Sequence, residues 1–223
     1  MHLKPNSSIE KIIYLVRHGE SEENAAPVFQ SPSAKLSAKG QQQAEFIAQR
    51  ILSIPFDVLI SSPLQRTRQT AEAISKATGR PVEFSELFVE SIRPTSVHSK
   101  PYTDKQASEV WQKWCVSLAN EGSERAEDGE TYEDVTRRAD KALDYLLKRP
   151  EKTIIVVTHG HFLKTIIAKV ILGETFTPDG LKNIERKMRT DNTGISVLAY
   201  ESDYEKDPSW RLWVYNDHAH LGE

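Results

Sequence analysis

Lys11-Ile12-Ile13-Tyr14-Leu15-Val16-Arg17-His18-Gly19-Glu20-Ser21-Glu22-Glu23-Asn24 is the stretch whose reading decides the fold. Residues 12–16 form an unbroken apolar run rich in β-branched side chains, the pattern of a strand covered on both faces. The run stops abruptly at Arg17-His18-Gly19. In an open α/β sheet, ligands sit in the crevice beyond the carboxyl ends of the strands. A cation, an imidazole and a residue without a side chain suit a phosphate at that place: they supply charge, a nucleophile and room for close approach.

The rest of the chain repeats this grammar. Residues 153–158 are the most hydrophobic strand candidate and end in His159-Gly160-His161, followed by an apolar helix over 162–172 that Gly173 closes. A strand over 56–60 runs into Ser61-Ser62-Pro63, which reads as a helix start with Ser62 as cap and Pro63 in the first turn. That helix carries Arg66, placed to reach back toward the strand ends, and Arg68, read as a solvated charge; Gly79 ends it. A short strand over 82–84 precedes Glu86 and Glu90. Ser37 can cap a helix whose Ala44, Ile47 and Ile51 form an apolar stripe. Helical patterns cover 104–118, with Val110, Trp111, Trp114 and Leu118 as the buried stripe, and 130–147, where Thr131 and Asp134 form a variant capping box. A polar loop at 120–129 separates these two helices. Two late strands, 194–200 and 210–215, flank a polar loop at 201–208. The predicted architecture is a three-layer α/β/α sandwich with a mainly parallel central sheet, one domain over residues 1–223.

Composition narrows the class. The 223 residues are 38% hydrophobic and 27% charged, enough for a core beneath a well-solvated surface. A net charge of −3 provides no global basic field to attract nucleic acid. The single cysteine, Cys115, excludes an intrachain disulfide framework and fits a reducing compartment. No apolar run approaches the roughly 18 residues of a membrane span, and residues 1–10 lack a signal-peptide core. The expectation is a cytoplasmic protein with no membrane and no nucleic-acid partner; nothing in the sequence reads out its oligomeric state.

These segments resemble the histidine phosphatase superfamily, also called the phosphoglycerate mutase-like family. The resemblance rests on Leu15-Val16-Arg17-His18-Gly19-Glu20-Ser21 with Asn24, and on Leu36-Ser37-Ala38-Lys39-Gly40 with Gln43-Ala44. It rests further on Ser61-Ser62-Pro63-Leu64 with Arg66-Thr67 and Gln69-Thr70-Ala71, on Val157-Thr158-His159-Gly160, and on Asp191-Asn192-Thr193-Gly194. It implies metal-independent hydrolysis of a small phosphate ester, with no cofactor. His18 would attack phosphorus and become a phosphohistidine, its pKa depressed by Arg17 and Arg66. Arg17, Arg66, His159 and Asn24 would hold the phosphoryl oxygens. Glu90, with Glu86 as competitor, would be the proton donor, its pKa raised by a partly closed pocket. Residues 92–129 would be the variable helical insertion over the active site. Its Arg93, His98 and Lys100 could meet a second anionic group but read as solvated.

Three rivals define the alternatives. A cofactor-dependent phosphoglycerate mutase keeps the phosphohistidine, but typically shows Asn-Glu-Arg-x-Tyr-Gly around the acid; Phe88-Val89-Glu90-Ser91-Ile92-Arg93-Pro94 departs from it. A metallohydrolase built on His18, His159 and His161 lacks a carboxylate cluster at ligand spacing, and His218 and His220 read as a mobile tail. A catalytically dead binding module has no evident reason to retain Arg17, His18, Arg66 and His159 together.

Overall fold

The computed structural model describes residues 9–202 and 208–222, so most of the loop expected at 201–208 and of the polar N-terminus lies outside the described residues. Six strands form one sheet in the order β3-β2-β4-β1-β5-β6. They are β1 (Ile9–Arg17), β2 (Val58–Ser61), β3 (Val82–Phe84), β4 (Thr153–Thr158), β5 (Ile195–Glu201) and β6 (Ser209–Asp217). β3, β2, β4 and β1 pair in parallel, while β5 runs antiparallel to β1 and β6 antiparallel to β5. The mainly parallel sheet and the late antiparallel pair follow the sequence expectation.

The alternation of side chains along each strand builds the layers. Ile13, Leu15, Ile60, Ile154 and Val156 face one side and pack against α5 (Tyr132–Lys148) and α6 (Gly160–Leu172). Val16, Leu59, Ile155 and Val157 face the other, against α2 (Ala38–Ile51) and α3 (Gln65–Thr78). β4 lies between β2 and β1, so its apolar side chains are buried from both sides, each contributing about 1.5–3 kcal/mol. That is why it reads as the most hydrophobic run.

Three differences from the sequence reading have local causes. α3 begins at Gln65, with extended Leu64 before it, and not at Pro63. Ser62 is engaged elsewhere: its amide prolongs the ladder to the Val157 carbonyl at 3.0 Å, and its own carbonyl accepts the Thr67 hydroxyl at 3.0 Å. A helix α7 (Pro178–Lys187) follows α6 where no periodicity announced one, because Leu181 is its single buried residue. Finally, His218 and His220 do not lie in a loose tail. A short 3-10 turn (Ala219–Leu221) follows β6, and His220 Nε2 is 3.0 Å from the Thr193 hydroxyl.

Gly40 has a packing role at the start of α2. A Cβ on Gly40 would sit 1.9 Å from the Glu20 carbonyl oxygen, and one on Gly19 would sit 2.5 Å from the Gly40 carbonyl oxygen. The turn leaving β1 therefore packs backbone to backbone on the first turn of α2. Ser37 donates to Glu20 Oε1 at 2.8 Å, and Gln43 Oε1 accepts the Glu20 amide at 2.8 Å, locking the contact. Gly40→Ala raises intrinsic helix propensity by about 1 kcal/mol; the clash is nonetheless expected to lower stability by about 1–3 kcal/mol net. Urea unfolding of the two proteins decides it: an unchanged or higher midpoint contradicts the backbone packing.

Candidate active site

Strand register brings chain-distant residues together. Arg17 pairs with Thr158 and Ser61 with Val157, so His18, His159 and Ser62 leave three neighbouring strands at the same sheet edge. Glu90 reaches that edge from the segment after β3, and Arg66 from the first turn of α3. The result is a buried polar cluster: His18 is 1% exposed, Arg66 1%, His159 0% and Glu90 8%.

His18 is held by both ring nitrogens. Nδ1 lies 2.6 Å from the Gly19 carbonyl oxygen, and Nε2 lies 3.1 Å from Arg66 Nε. A carbonyl only accepts and a guanidinium only donates. The proton therefore sits on Nδ1, and the Nε2 lone pair points toward the cation. Burial holds the His18 pKa well below its ordinary value, with Arg66 and then Arg17 adding to the effect. The ring is neutral at neutral pH. Its main chain is equally fixed: His18 donates its amide to the Thr158 carbonyl at 3.0 Å, and its carbonyl accepts from Asn192 Nδ2 at 2.9 Å. Thr193 donates its amide to the Arg17 carbonyl at 2.9 Å. Asp191-Asn192-Thr193-Gly194 thus clamps the segment that carries the histidine.

Burial lowers the Arg66 pKa to about 9 against the pull of Glu90, so the guanidinium stays cationic at neutral pH. Its Nη1 donates to the Ser31 carbonyl at 3.0 Å. Arg17 Nη1 donates to the Thr190 carbonyl, while its Nε is buried without a hydrogen-bond partner among the described residues. Gly160 leaves the room this guanidinium uses, since a Cβ there would lie 3.3 Å from Arg17 Nε. His159 stands one layer beneath, edge-on to His18 with ring centroids 5.1 Å apart. Its Nε2 is 2.9 Å from the Ser62 hydroxyl, and its buried Nδ1 has no partner among the described residues. Burial, then Arg66, keeps this ring neutral as well. Asn24 sits at the cavity mouth and already has a local job: its Oδ1 accepts the Ser21 amide at 3.3 Å in the capping box of the short helix α1 (Glu22–Ala25). Arg68 keeps clear of the cluster and lies 4.1 Å over the Phe84 ring.

Glu90, and not Glu86, shares a cavity with His18; Glu86 is exposed and lines a neighbouring recess. The expected raised pKa is corrected. Burial does push the Glu90 carboxyl up, but Arg93, His161, Arg66 and the Ser91 amide outweigh it and hold it below the usual range. The geometry explains this: Oε1 accepts the amides of Ser91 and Phe162, each at 3.0 Å, at the positive N-terminus of α6. Glu90 is ionised in the free protein.

Two groups escaped the sequence reading. Arg93, read there as solvated, lines the same cavity as His18 and has a buried Nε with no partner among the described residues. It also lies 5.6 Å and 5.9 Å over the rings of Trp111 and Trp114. The Arg138–Glu130 ion pair, at 2.7 Å, pins the Glu90 segment from behind. Arg138 donates to the carbonyls of Leu87 and Val89, at 3.1 Å and 2.8 Å, while Glu130 Oε2 accepts the Ile92 amide at 2.9 Å. Neither group has a local signal, because both act across long stretches of chain.

The cavity at the strand ends holds about 440 Å³ and is walled by Arg17, His18, Glu90, Arg93 and His161, with Lys164 and the end of α7 at its rim. Three guanidinium or imidazole groups around a neutral imidazole lone pair can bind a tetrahedral oxyanion and present a nucleophile to it. His159 and His161 diverge, the first to Ser62 and the second to Ser91 at 2.5 Å. Among the described residues no group of three or more His, Cys, Asp or Glu is arranged to hold a metal ion. Nor is any helix among them long and apolar enough to cross a membrane.

Known proteins resemble the chain in sequence and in fold. A protein named "Probable phosphoglycerate mutase GpmB" from Citrobacter koseri is 31% identical over 214 residues, covering 94% of each chain. A phosphoserine phosphatase from Entamoeba histolytica, solved with phosphoserine, superposes with a TM-score of 0.71 at 26% identity, covering 95% of this chain and 99% of that one. The alpha-ribazole phosphatase from Shigella flexneri shares the fold, with a TM-score of 0.76 at 20% identity over 92% and 96% of the two chains. Residues 13–214 match the sequence profile of the histidine phosphatase superfamily (branch 1), and the chain belongs to that superfamily.

Proposed function

We propose that the chain hydrolyses phosphomonoesters through a phosphohistidine on His18, without a metal or cofactor. The observation that carries this reading is the His18 clamp, which leaves the Nε2 lone pair of a neutral, buried imidazole beside cationic Arg66. When substrate binds, Arg66 moves its Nε hydrogen from the Nε2 lone pair to a phosphoryl oxygen. The freed Nε2 attacks phosphorus in line, the bond to the ester oxygen breaks, and Arg66, Arg17 and Arg93 take up the charge spread over the phosphoryl oxygens. His159 can add a donor from Nδ1, because its Nε2 is occupied by Ser62.

Glu90 supplies the proton to the leaving oxygen. It is ionised before substrate arrives, so it must first gain a proton. Arg93 and Arg66 help to hold it ionised. A bound phosphate dianion offsets both charges, and its own negative charge together with burial raises the carboxyl against the Ser91 and Phe162 amides that remain. Glu90 then protonates the departing alkoxide, and in the second half takes a proton from the water that attacks the phosphohistidine. The alcohol and hydrogen phosphate leave, and His18 returns to its neutral form.

The reading favours hydrolysis over phosphoglycerate mutation because the segment around Glu90 departs from the mutase pattern and because a phosphoserine phosphatase superposes at 26% identity. The printed name of the curated relatives keeps phosphoryl return to phosphoglycerate as the second reading.

Phosphate release from a panel of phosphomonoesters, with EDTA present throughout, is the test. Turnover is expected to persist in EDTA and to fall by about 10³-fold or more in His18→Ala; Arg66→Met is expected to lose about 10²–10³. Equal turnover in wild type and His18→Ala, or activity that only added metal restores, overturns the mechanism; isomerised phosphoglycerate without free phosphate moves it to the second reading. Nitrogen NMR of the imidazoles checks the electrostatics. At about pH 5.5, a unit below the ordinary value, His18 is expected to be neutral with its proton on Nδ1. Removing the Arg66 charge relieves a lowering influence, so Arg66→Met must raise the His18 pKa. An imidazolium at that pH in the wild type, or no upward shift in the variant, contradicts the account.

A further inference from the structure

A second cavity opens beside the phosphate cavity, and its walls are mainly apolar, with Lys182, Glu185 and Arg186 among its polar lining. It holds about 270 Å³ between α4 (Lys105–Ala119) and α7, and it shares Glu90, Arg93 and His161 with the wall around His18. Trp111, Trp114 and Leu118 line it from α4, and Pro178 and Leu181 from α7. We infer that this cavity takes the leaving alcohol, and that the substrates are phosphomonoesters whose alcohol carries an apolar, ring-sized group. The inference rests on the phosphoryl-transfer reading and names the substrate class for it.

Mechanism and geometry converge on this place. In-line attack by His18 puts the ester oxygen on the far side of phosphorus, where Glu90 must reach it. The body of the alcohol continues beyond Glu90, and the apolar cavity begins there. The wall is already formed. The rings of Trp111 and Trp114 lie 4.8 Å apart, Phe29 packs 4.9 Å from Trp111, and Arg93 stacks over both indoles. Aromatic walls with a few convergent polar groups are the usual make-up of a small-molecule site.

A second anionic group on the substrate is the competing chemistry: Arg186 lines both cavities, Lys187 the phosphate cavity and Lys182 the apolar one, while two other cations at the rim are paired. Lys164 Nζ meets Glu185 Oε2 at 2.7 Å, and Arg189 meets Asp191 at 2.7 Å. A smaller recess of about 220 Å³ lies on the other side of Glu90 and Arg93, with Leu64, Val89 and Ile92 in its wall. It lacks the tryptophans, and Ile92 is 46% exposed.

Non-hydrolysable phosphonates separate the possibilities by calorimetry on the whole chain. Methylphosphonate, phosphonoacetate and naphthylmethylphosphonate are titrated in turn. The naphthylmethyl compound is expected to bind about ten- to a hundredfold tighter than the other two. Cys115, an exposed residue on the cavity wall, gives the variant: Cys115→Trp fills the space and should cut that preference by about tenfold. Equal affinities, or phosphonoacetate as the best ligand, overturn the inference. So does a preference that survives Cys115→Trp and disappears in Ile92→Trp, which assigns the group to the smaller recess. Naphthyl phosphate that binds with this preference but is not hydrolysed keeps the apolar subsite and removes the hydrolysis reading instead, so the two failures are distinct.

Discussion

The hydrogen bond from His18 Nδ1 to the carbonyl of Gly19, at 2.6 Å, is the constraint on which the rest of the site depends. It fixes which nitrogen keeps its lone pair, and it does so with the backbone of the next residue, so the choice is built into the turn after β1. That turn must be tight, which is why Gly19 rests on the backbone of Gly40 with no space for a side chain on either. Arg66 then faces the lone pair and adds to the lowering of the pKa that burial causes. Burial alone would give a neutral but undirected imidazole. The turn directs it, the arginine surrounds it with positive charge, and register between β1 and β4 sets His159 at its back.

Glu90 shows the opposite electrostatic problem in the same space. A carboxylate buried this deeply would ordinarily be neutral. Here the N-terminus of α6, two arginines and His161 keep it charged. On the proposed mechanism Arg93 and Arg66 would serve two purposes, holding Glu90 ionised before a phosphate binds and holding the phosphate afterwards. Proton uptake at Glu90 would then be coupled to binding, which would join the acid to the substrate without a separate switch. The ion pair of Arg138 with Glu130 keeps the segment rigid while this charge is exchanged.

Much of the fold was legible because the strands are covered on both faces and so lack polar interruptions. Residues 12–16 and 153–158 announced β1 and β4, and the His-Gly ending of each announced their shared edge. Ser62 looked like a helix cap because a serine before a proline has that local meaning. Its hydroxyl does accept the Leu64 amide at 3.3 Å, but it also meets His159, and its amide reaches Val157, both far along the chain. Helix α7 was invisible because Leu181 alone is buried in it. Arg93 read as solvated because nothing in its own segment shows that Trp111 and Trp114 will stack beneath it. The raised pKa expected for Glu90 followed from burial alone and missed the amides of α6. Short-range pattern gave the scaffold, while the charge balance of the site needed contacts that only folding creates.

The central claim is that phosphorus bonds to one nitrogen of one histidine, and trapping that bond tests it most directly. The protein is mixed with a hydrolysable ester, quenched in alkali within the first turnover, and mapped by mass spectrometry with phosphorus NMR on the intact chain. The account predicts a single acid-labile phosphoryl group on Nε2 of His18, appearing with the released alcohol and disappearing as phosphate forms. A phosphoryl group on another side chain, or turnover that proceeds with His18 never modified, would contradict it.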